Sequence, residues 1–88
     1  MSLTFPNRSR SYDEAGKRIR FVGHDGMFQI SFSVAADAIS KAPPEAPTAE
    51  ATYLAAFDTA SNSIYEIARN AYARTRKSIY VLTAADFR

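Results

Sequence analysis

Residues 17–34, KRIRFVGHDGMFQISFSV, decide the fold. Two runs of period-2 alternation flank Gly23-His24-Asp25-Gly26. Asp-Gly at the centre of such a pattern signals a β-hairpin, because a type I′ turn needs positive φ at both central residues. With Asp25-Gly26 as a two-residue loop, Ile19 faces Phe32 and Phe21 faces Ile30. Phe28 and Val34 then share that apolar face, while Arg18, Arg20, Gln29, Ser31 and Ser33 share the other. A four-residue loop over 23–26 gives the same sorting, whereas a three-residue loop would scramble it.

Upstream, Ser2-Leu3-Thr4-Phe5 alternates and stops at Pro6-Asn7, which predicts a short first strand with Leu3 and Phe5 inward. A polar connection through Arg8, Arg10, Tyr12, Asp13, Glu14 and Gly16 leads to the hairpin. Downstream of Val34, AADAISKA predicts a short helical stretch anchored by Ile39. Pro43, Pro44 and Pro47 then forbid helix and make 42–47 a stiff, extended connection. Thr48 reads as the N-cap of one long helix, with Glu50 in the first turn where the macrodipole favours an anion. The apolar positions Tyr53, Leu54, Phe57, Ala60, Ile64, Ile67, Ala68, Ala71 and Tyr72 recur at three and four, with Ser61 the polar lapse.

A helix over residues 49–75 is about 40 Å long at 1.5 Å per residue. An 88-residue domain has a radius of gyration near 12 Å, so a diameter of about 31 Å. The helix therefore overhangs its own core or is shorter than the pattern. Ile79-Tyr80-Val81-Leu82 is apolar on both faces, which predicts a strand inside the sheet with cover on each side. Tyr80 and Leu82 fall on the face otherwise lined with Arg and Ser. Thr83 to Asp86 starts a last helical turn that sets Phe87 against the core. The layout is α+β, in the order β-β-β-α-α-β. It is a mostly antiparallel four-stranded sheet with one long and one short helix on its apolar face, in a single domain over 1–88.

Composition narrows the class. There is no cysteine, hence no disulfide framework, thiolate zinc site or thiol nucleophile, and a cytoplasmic home is favoured. The N-terminus lacks the basic and apolar regions of a signal peptide, and no stretch approaches the roughly 18 apolar residues of a membrane span. The net charge of +2 is distributed unevenly: residues 1–34 stand at +2, residues 35–68 at −4 and residues 69–88 at +4. Such segregation steers a polyanion or orients self-association, and also matches ordinary helix-end chemistry.

Leu3-Thr4-Phe5-Pro6, Arg10-Ser11-Tyr12-Asp13, Phe21-x-Gly23-x-Asp25-Gly26, Phe32-Ser33-Val34, Ile64 to Ala68 with Tyr72, and Leu82-Thr83-Ala84-Ala85-Asp86-Phe87 resemble a small bacterial family, the one catalogued as domain of unknown function 1488. The resemblance covers nearly the whole chain. It implies a single-domain bacterial protein with an α+β fold and carries no active-site residues over.

Three site readings follow from the residues. His24 beside Asp25 has the makings of a general base oriented by a carboxylate, but neighbours at a hairpin tip rarely take that geometry, and the turn itself accounts for Asp25. Asp13, Glu14, Asp25 and Asp86 are too scattered for a hard-cation loop; Asp13 instead caps the turn before Gly16 and Asp86 closes a cap with Thr83. The sequence thus assigns no catalytic, cofactor or metal residue and points away from an enzyme. The basic clusters weigh more: Arg8 and Arg10 in the first loop, Arg18 and Arg20 on the polar sheet face, and Arg74, Arg76 and Lys77 at the helix end. With Tyr72 and Tyr80 among them, these residues form a candidate partner or polyanion surface. The expectation is a non-enzymatic interaction module, a homodimer or the ligand of an unidentified protein partner. The alternative is a nucleic-acid-binding accessory protein, and neither reading involves a membrane.

Overall fold

One face of a four-stranded sheet is covered by a long helix, and among the described residues the other face is bare. The computed structural model describes residues 3–6, 10–41 and 48–87. Its elements are β1 (Arg10–Asp13), β2 (Arg18–Asp25), β3 (Phe28–Ala35), α1 (Ala36–Ile39), α2 (Ala49–Thr75), β4 (Ile79–Leu82) and a closing 3-10 turn (Ala84–Phe87). The strands lie in the order β1-β2-β3-β4, with β1/β2 and β2/β3 antiparallel and β3/β4 parallel. The fold is α+β with a mixed, mostly antiparallel sheet. The proline-rich connection at 42–47 lies outside the described residues.

The hairpin forms, but its turn is Gly26-Met27 and not Asp25-Gly26. Asp25 pairs with Phe28, Gly23 with Ile30, Phe21 with Phe32 and Ile19 with Val34. Gly26 has φ +61° and no other residue of the loop has positive φ, as a type II′ turn requires and a type I′ turn does not. The register is displaced by two residues from the expected one. A two-residue step preserves facing, so Ile19, Phe21, Ile30, Phe32 and Val34 are all buried together. Phe28 has the right parity but sits at the hairpin tip beyond the core, and is 73% exposed.

The first strand is also displaced. The ladder residues are Arg10–Asp13, in the stretch expected to be a polar connection. Thr4 makes only an isolated antiparallel bridge, through two 2.8 Å backbone bonds with His24. Leu3 and Phe5 are nevertheless buried as expected. They lie over Gly23, where a Cβ would come within 2.8 Å of Phe5 Cε1 and 3.0 Å of Leu3 Cδ1. Arg69 holds the same segment from the helix side: its Nε donates to the Leu3 carbonyl at 3.1 Å, and its guanidinium lies 5.2 Å above the Phe5 ring.

Helix α2 has the bounds that the periodicity predicts, and it is not shortened. The molecule measures 41 × 25 × 22 Å, so the helix runs along its longest dimension. Thr48 occupies the N-cap position, yet its side chain makes no capping bond; its φ and ψ of −103° and 15° are not those of an extended cap residue. Arg76 ends the helix in the left-handed conformation, with its N–H on the Tyr72 carbonyl. Tyr53, Phe57, Ile64 and Ala68 are buried as the stripe requires, and Tyr65 joins them. Its ring stacks on Phe5 with centroids 4.2 Å apart.

Strand β4 is where the expectation reverses. It pairs Phe32 with Tyr80 and Val34 with Leu82, so Tyr80 and Leu82 point to the helix face, while Ile79 and Val81 point to the bare one. Nor is it an interior strand with cover on each side; it is an edge strand. Asp86 accepts the Thr83 N–H at 2.8 Å, the predicted cap, and Phe87 packs on the core. Asp13 accepts the Gly16 N–H at 3.2 Å, the other predicted cap.

Two substitutions test this core. Phe57 is among the largest fully buried side chains, and Phe57→Ala should lower the urea-unfolding free energy by about 3–5 kcal/mol, against about 0.5–1.5 kcal/mol for Ile64→Val. Gly23→Ala should destabilise through displacement of residues 3–5, read as faster amide exchange at Thr4 and His24 than elsewhere in the sheet.

Candidate interaction surface

The strand registers place the helix-free residues in rows. Asp13, Arg18 and Ala35 form one row; Ser11, Arg20, Ser33 and Val81 the next; Val22, Ser31 and Ile79 the third; His24 and Gln29 the last. Ile79 is 68% and Val81 57% exposed. Between Arg20 and Val81, Ser33 is small enough to be buried by its neighbours although it points outward. The two sheet edges differ in kind. The β1 edge carries Arg10 and Asp13, charged groups of the type that guard an edge. The β4 edge has four residues, all β-branched, aromatic or Leu, with no charge, proline or bulge among them.

The basic residues singled out in the sequence do not form one patch. Arg8 lies outside the described residues. Arg10 points to the helix side, where its fork grips Asp58 of α2 through Nε at 2.8 Å and Nη2 at 2.7 Å. That hydrogen bond raises the Arg10 pKa and holds the Asp58 carboxyl below its ordinary value. Arg18 faces the bare side and binds Asp13 at 3.1 Å. The Gly16 N–H first, and then Arg18, keep the Asp13 carboxyl low. Arg20 is exposed on the same face and makes no ion pair among the described residues. Arg74 and Lys77 are exposed at the far end of α2, also without one. Arg76 lies 5.5 Å over the Tyr72 ring.

The two tyrosines of that set are engaged internally. The Tyr72 hydroxyl donates to Asp25 Oδ2 at 2.6 Å, which ties the end of α2 to the hairpin tip and raises the phenol pKa. Tyr80 stacks on Phe32 with centroids 5.2 Å apart. Its hydroxyl oxygen accepts the Lys77 N–H at 2.7 Å and lies 2.9 Å from Thr75 Oγ1. Both rings join β4 to the helix end, so base stacking on Tyr80 has at most one ring face to use.

His24 and Asp25 are consecutive strand residues on opposite faces of the sheet, and Asp25 is held by Tyr72. They do not make an imidazole–carboxylate pair. Among the described residues, Asp13, Glu14, Asp25 and Asp86 do not gather, and no three metal-ligating side chains converge. No helix among them is long and apolar enough to cross a membrane. The surface features that sequence reasoning missed are Ile79 and Val81, together with Met27 and Phe28 at the hairpin tip, 98% and 73% exposed. Only the β3/β4 register would have revealed the first pair, because it decides which half of an all-apolar strand looks outward.

Two interhelix-to-sheet contacts titrate in opposite senses. The Asp58 carboxyl is lowered in the folded chain, so its contribution is whole above the unfolded value and disappears as pH falls through the folded one. The Tyr72 phenol is raised, so its contribution is whole below the unfolded value and disappears as pH climbs through the folded one. Thermal melts across pH should therefore show Asp58→Asn losing part of the acid-side slope and Tyr72→Phe losing part of the alkaline-side slope.

No curated protein and no solved structure matches the chain. Residues 3–82 match the model of a family described as protein of unknown function (DUF1488). That span runs from the segment laid over Gly23 to the last residue of β4, and so takes in the whole sheet and α2. With most of its length inside that match, the chain belongs to the DUF1488 family.

Proposed function

We propose that this protein is a non-enzymatic association module, and that its partner is a second copy of itself joined along β4. The observation that carries the reading is the apolar β4 edge: Ile79 and Val81 stand more than half exposed on a strand whose outer side is unpaired among the described residues. An unguarded edge of good β-formers offers a row of backbone donors and acceptors to another strand. Two-fold symmetry makes the same edge complementary to itself.

Antiparallel pairing about an axis perpendicular to the sheet, centred on Tyr80, would set Ile79 of one copy opposite Val81 of the other. Both helices would then lie on the same side of an eight-stranded sheet. The bare side would carry a continuous apolar stripe of four side chains, each shielding its neighbours from water. The paired residues contain no charge, so no like-charge contact opposes the union.

Light scattering tests this directly. The wild-type protein should show twice the 9.7-kDa chain mass. Ile79→Lys combined with Val81→Lys should return the single-chain mass with an unchanged far-UV spectrum, because both side chains point away from the core. A wild-type protein that stays at the single-chain mass up to about 1 mM, or a double variant that still dimerises, would overturn the reading.

A further inference from the structure

The half of the bare face away from β4 has different chemistry. A shallow depression of roughly 480 Å³ opens there, a volume within the range of small-ligand sites. Arg20, Ser11, Ser31, Val22, His24 and Gln29 line it together with Arg10, and among the described residues no carboxylate does. Arg20 sits on β2 directly opposite Ser11 of β1 and the buried Ser33 of β3, and Ser31 lies one row further on, opposite Val22. Adjacent strands are about 4.8 Å apart. One oxyanion above Arg20 is therefore within reach of the guanidinium and the Ser11 hydroxyl, while Ser31 lies further along the depression beside Val22.

We infer that this depression is a binding site for a small phosphomonoester, with its phosphate on Arg20 and Ser11 and its organic part over Val22 and Ser31. Three features favour that class. Arg20 presents a planar five-donor fork, and it is not consumed by an ion pair. The other charged groups near it are Arg10, held by Asp58 on the helix side, and the pair Arg18 and Asp13. Arg18 and Asp13 are bound to each other, so Asp13 acts on Arg20 only at longer range and does not occupy its guanidinium fork. The depression is several times larger than a bare phosphate, and beyond Arg20 it continues over apolar Val22 to the hydrogen-bonding groups of His24 and Gln29. Fixed donors around an apolar floor suit a phosphate carried on a polar organic body. The charged end of the site, Arg20 with Ser11, lies on the two strands farthest from β4, and its occupancy does not depend on dimerisation.

Titration of the full chain with inorganic phosphate, adenosine 5′-monophosphate and adenosine, followed by amide and arginine side-chain NMR, tests the assignment. The monophosphate should give saturable shifts at residues 11, 20, 22 and 31, with inorganic phosphate weaker at the same residues and adenosine silent. Arg20→Gln should weaken the monophosphate about tenfold or more, while Arg20→Lys keeps part of the affinity because the charge remains. The Ile79→Lys, Val81→Lys variant should bind as the wild type does, which separates this site from the dimer reading; loss of binding there overturns a site built by one chain. Absence of saturation below about 10 mM, equal shifts from adenosine, an unaffected Arg20→Gln variant, or shifts centred on Arg74 and Lys77 would each overturn it.

Discussion

A row of stacked aromatic rings holds three of the four strands and the helix in one arrangement. Phe21, Phe32 and Tyr80 are cross-strand partners on β2, β3 and β4. Their centroids are 5.2 Å apart at each step, with the planes within 14° of parallel. Phe57 and Tyr65 of α2 close on Phe21 from above, and Phe5 fills the space between Tyr65 and the two strand phenylalanines. Large rings on directly opposed residues bury much area and add an orientation-dependent term of about 0.5–1.5 kcal/mol per pair. In a chain of 88 residues, with a small core, few other contacts compete with that row. It explains the two-residue step in the hairpin. The expected register would have set Phe21 against Ile30 and left Phe32 opposite Ile19; the observed one stacks the two phenylalanines and gives Ile30 the space opposite Gly23.

The same row explains which parts of the architecture the sequence made legible. Facing along a strand has period 2 and survives an even displacement, so the hairpin's buried set was readable although its turn was not. The bounds of α2 were readable because 27 residues of periodicity overdetermine them. Positions that depend on distant contacts were not. Arg10–Asp13 looks like loop by composition and becomes a strand because Tyr12 packs on Tyr53 and Arg10 binds Asp58. Tyr65 lies beside the expected stripe and is drawn inward by Phe5, a residue 60 positions away. Strand β4 is apolar on both sides, so periodicity says nothing of its orientation; Tyr80 is turned inward because Phe32 is there to stack on.

The tyrosines and arginines of the candidate surface illustrate a related limit. Composition alone cannot tell a cation that meets a partner from one that meets its own fold. Arg10 and Arg18 are consumed by Asp58 and Asp13, and Arg69, a polar-face helix residue outside the candidate set, pins the N-terminal segment. Tyr72 and Tyr80 are spent on Asp25, Phe32 and the end of α2. What remains turned to solvent is a shorter set, Arg20 on the bare face and Arg74 with Lys77 at the helix end. These lie apart, with the sheet between Arg20 and the helix. A single polyanion tract across all of them has no continuous surface to follow.

The distribution of charge between the two edges gives the bare face its functional polarity. An exposed sheet face with one apolar margin and one hydrogen-bonding half is two surfaces with different solvation. Water is readily displaced from Ile79 and Val81 but not from Arg20, whose guanidinium demands an equal partner before it gives up hydration. A second copy seated flat over the whole face would have to bury two Arg20 side chains opposite one another without carboxylates to receive them. Joining along the β4 edge avoids that cost: the apolar margin meets its own image, while Arg20 stays in water at the outer end of the extended sheet. The chemistry of the face therefore favours lateral extension over face-to-face stacking, and a pair joined that way would keep Arg20 of each copy in water.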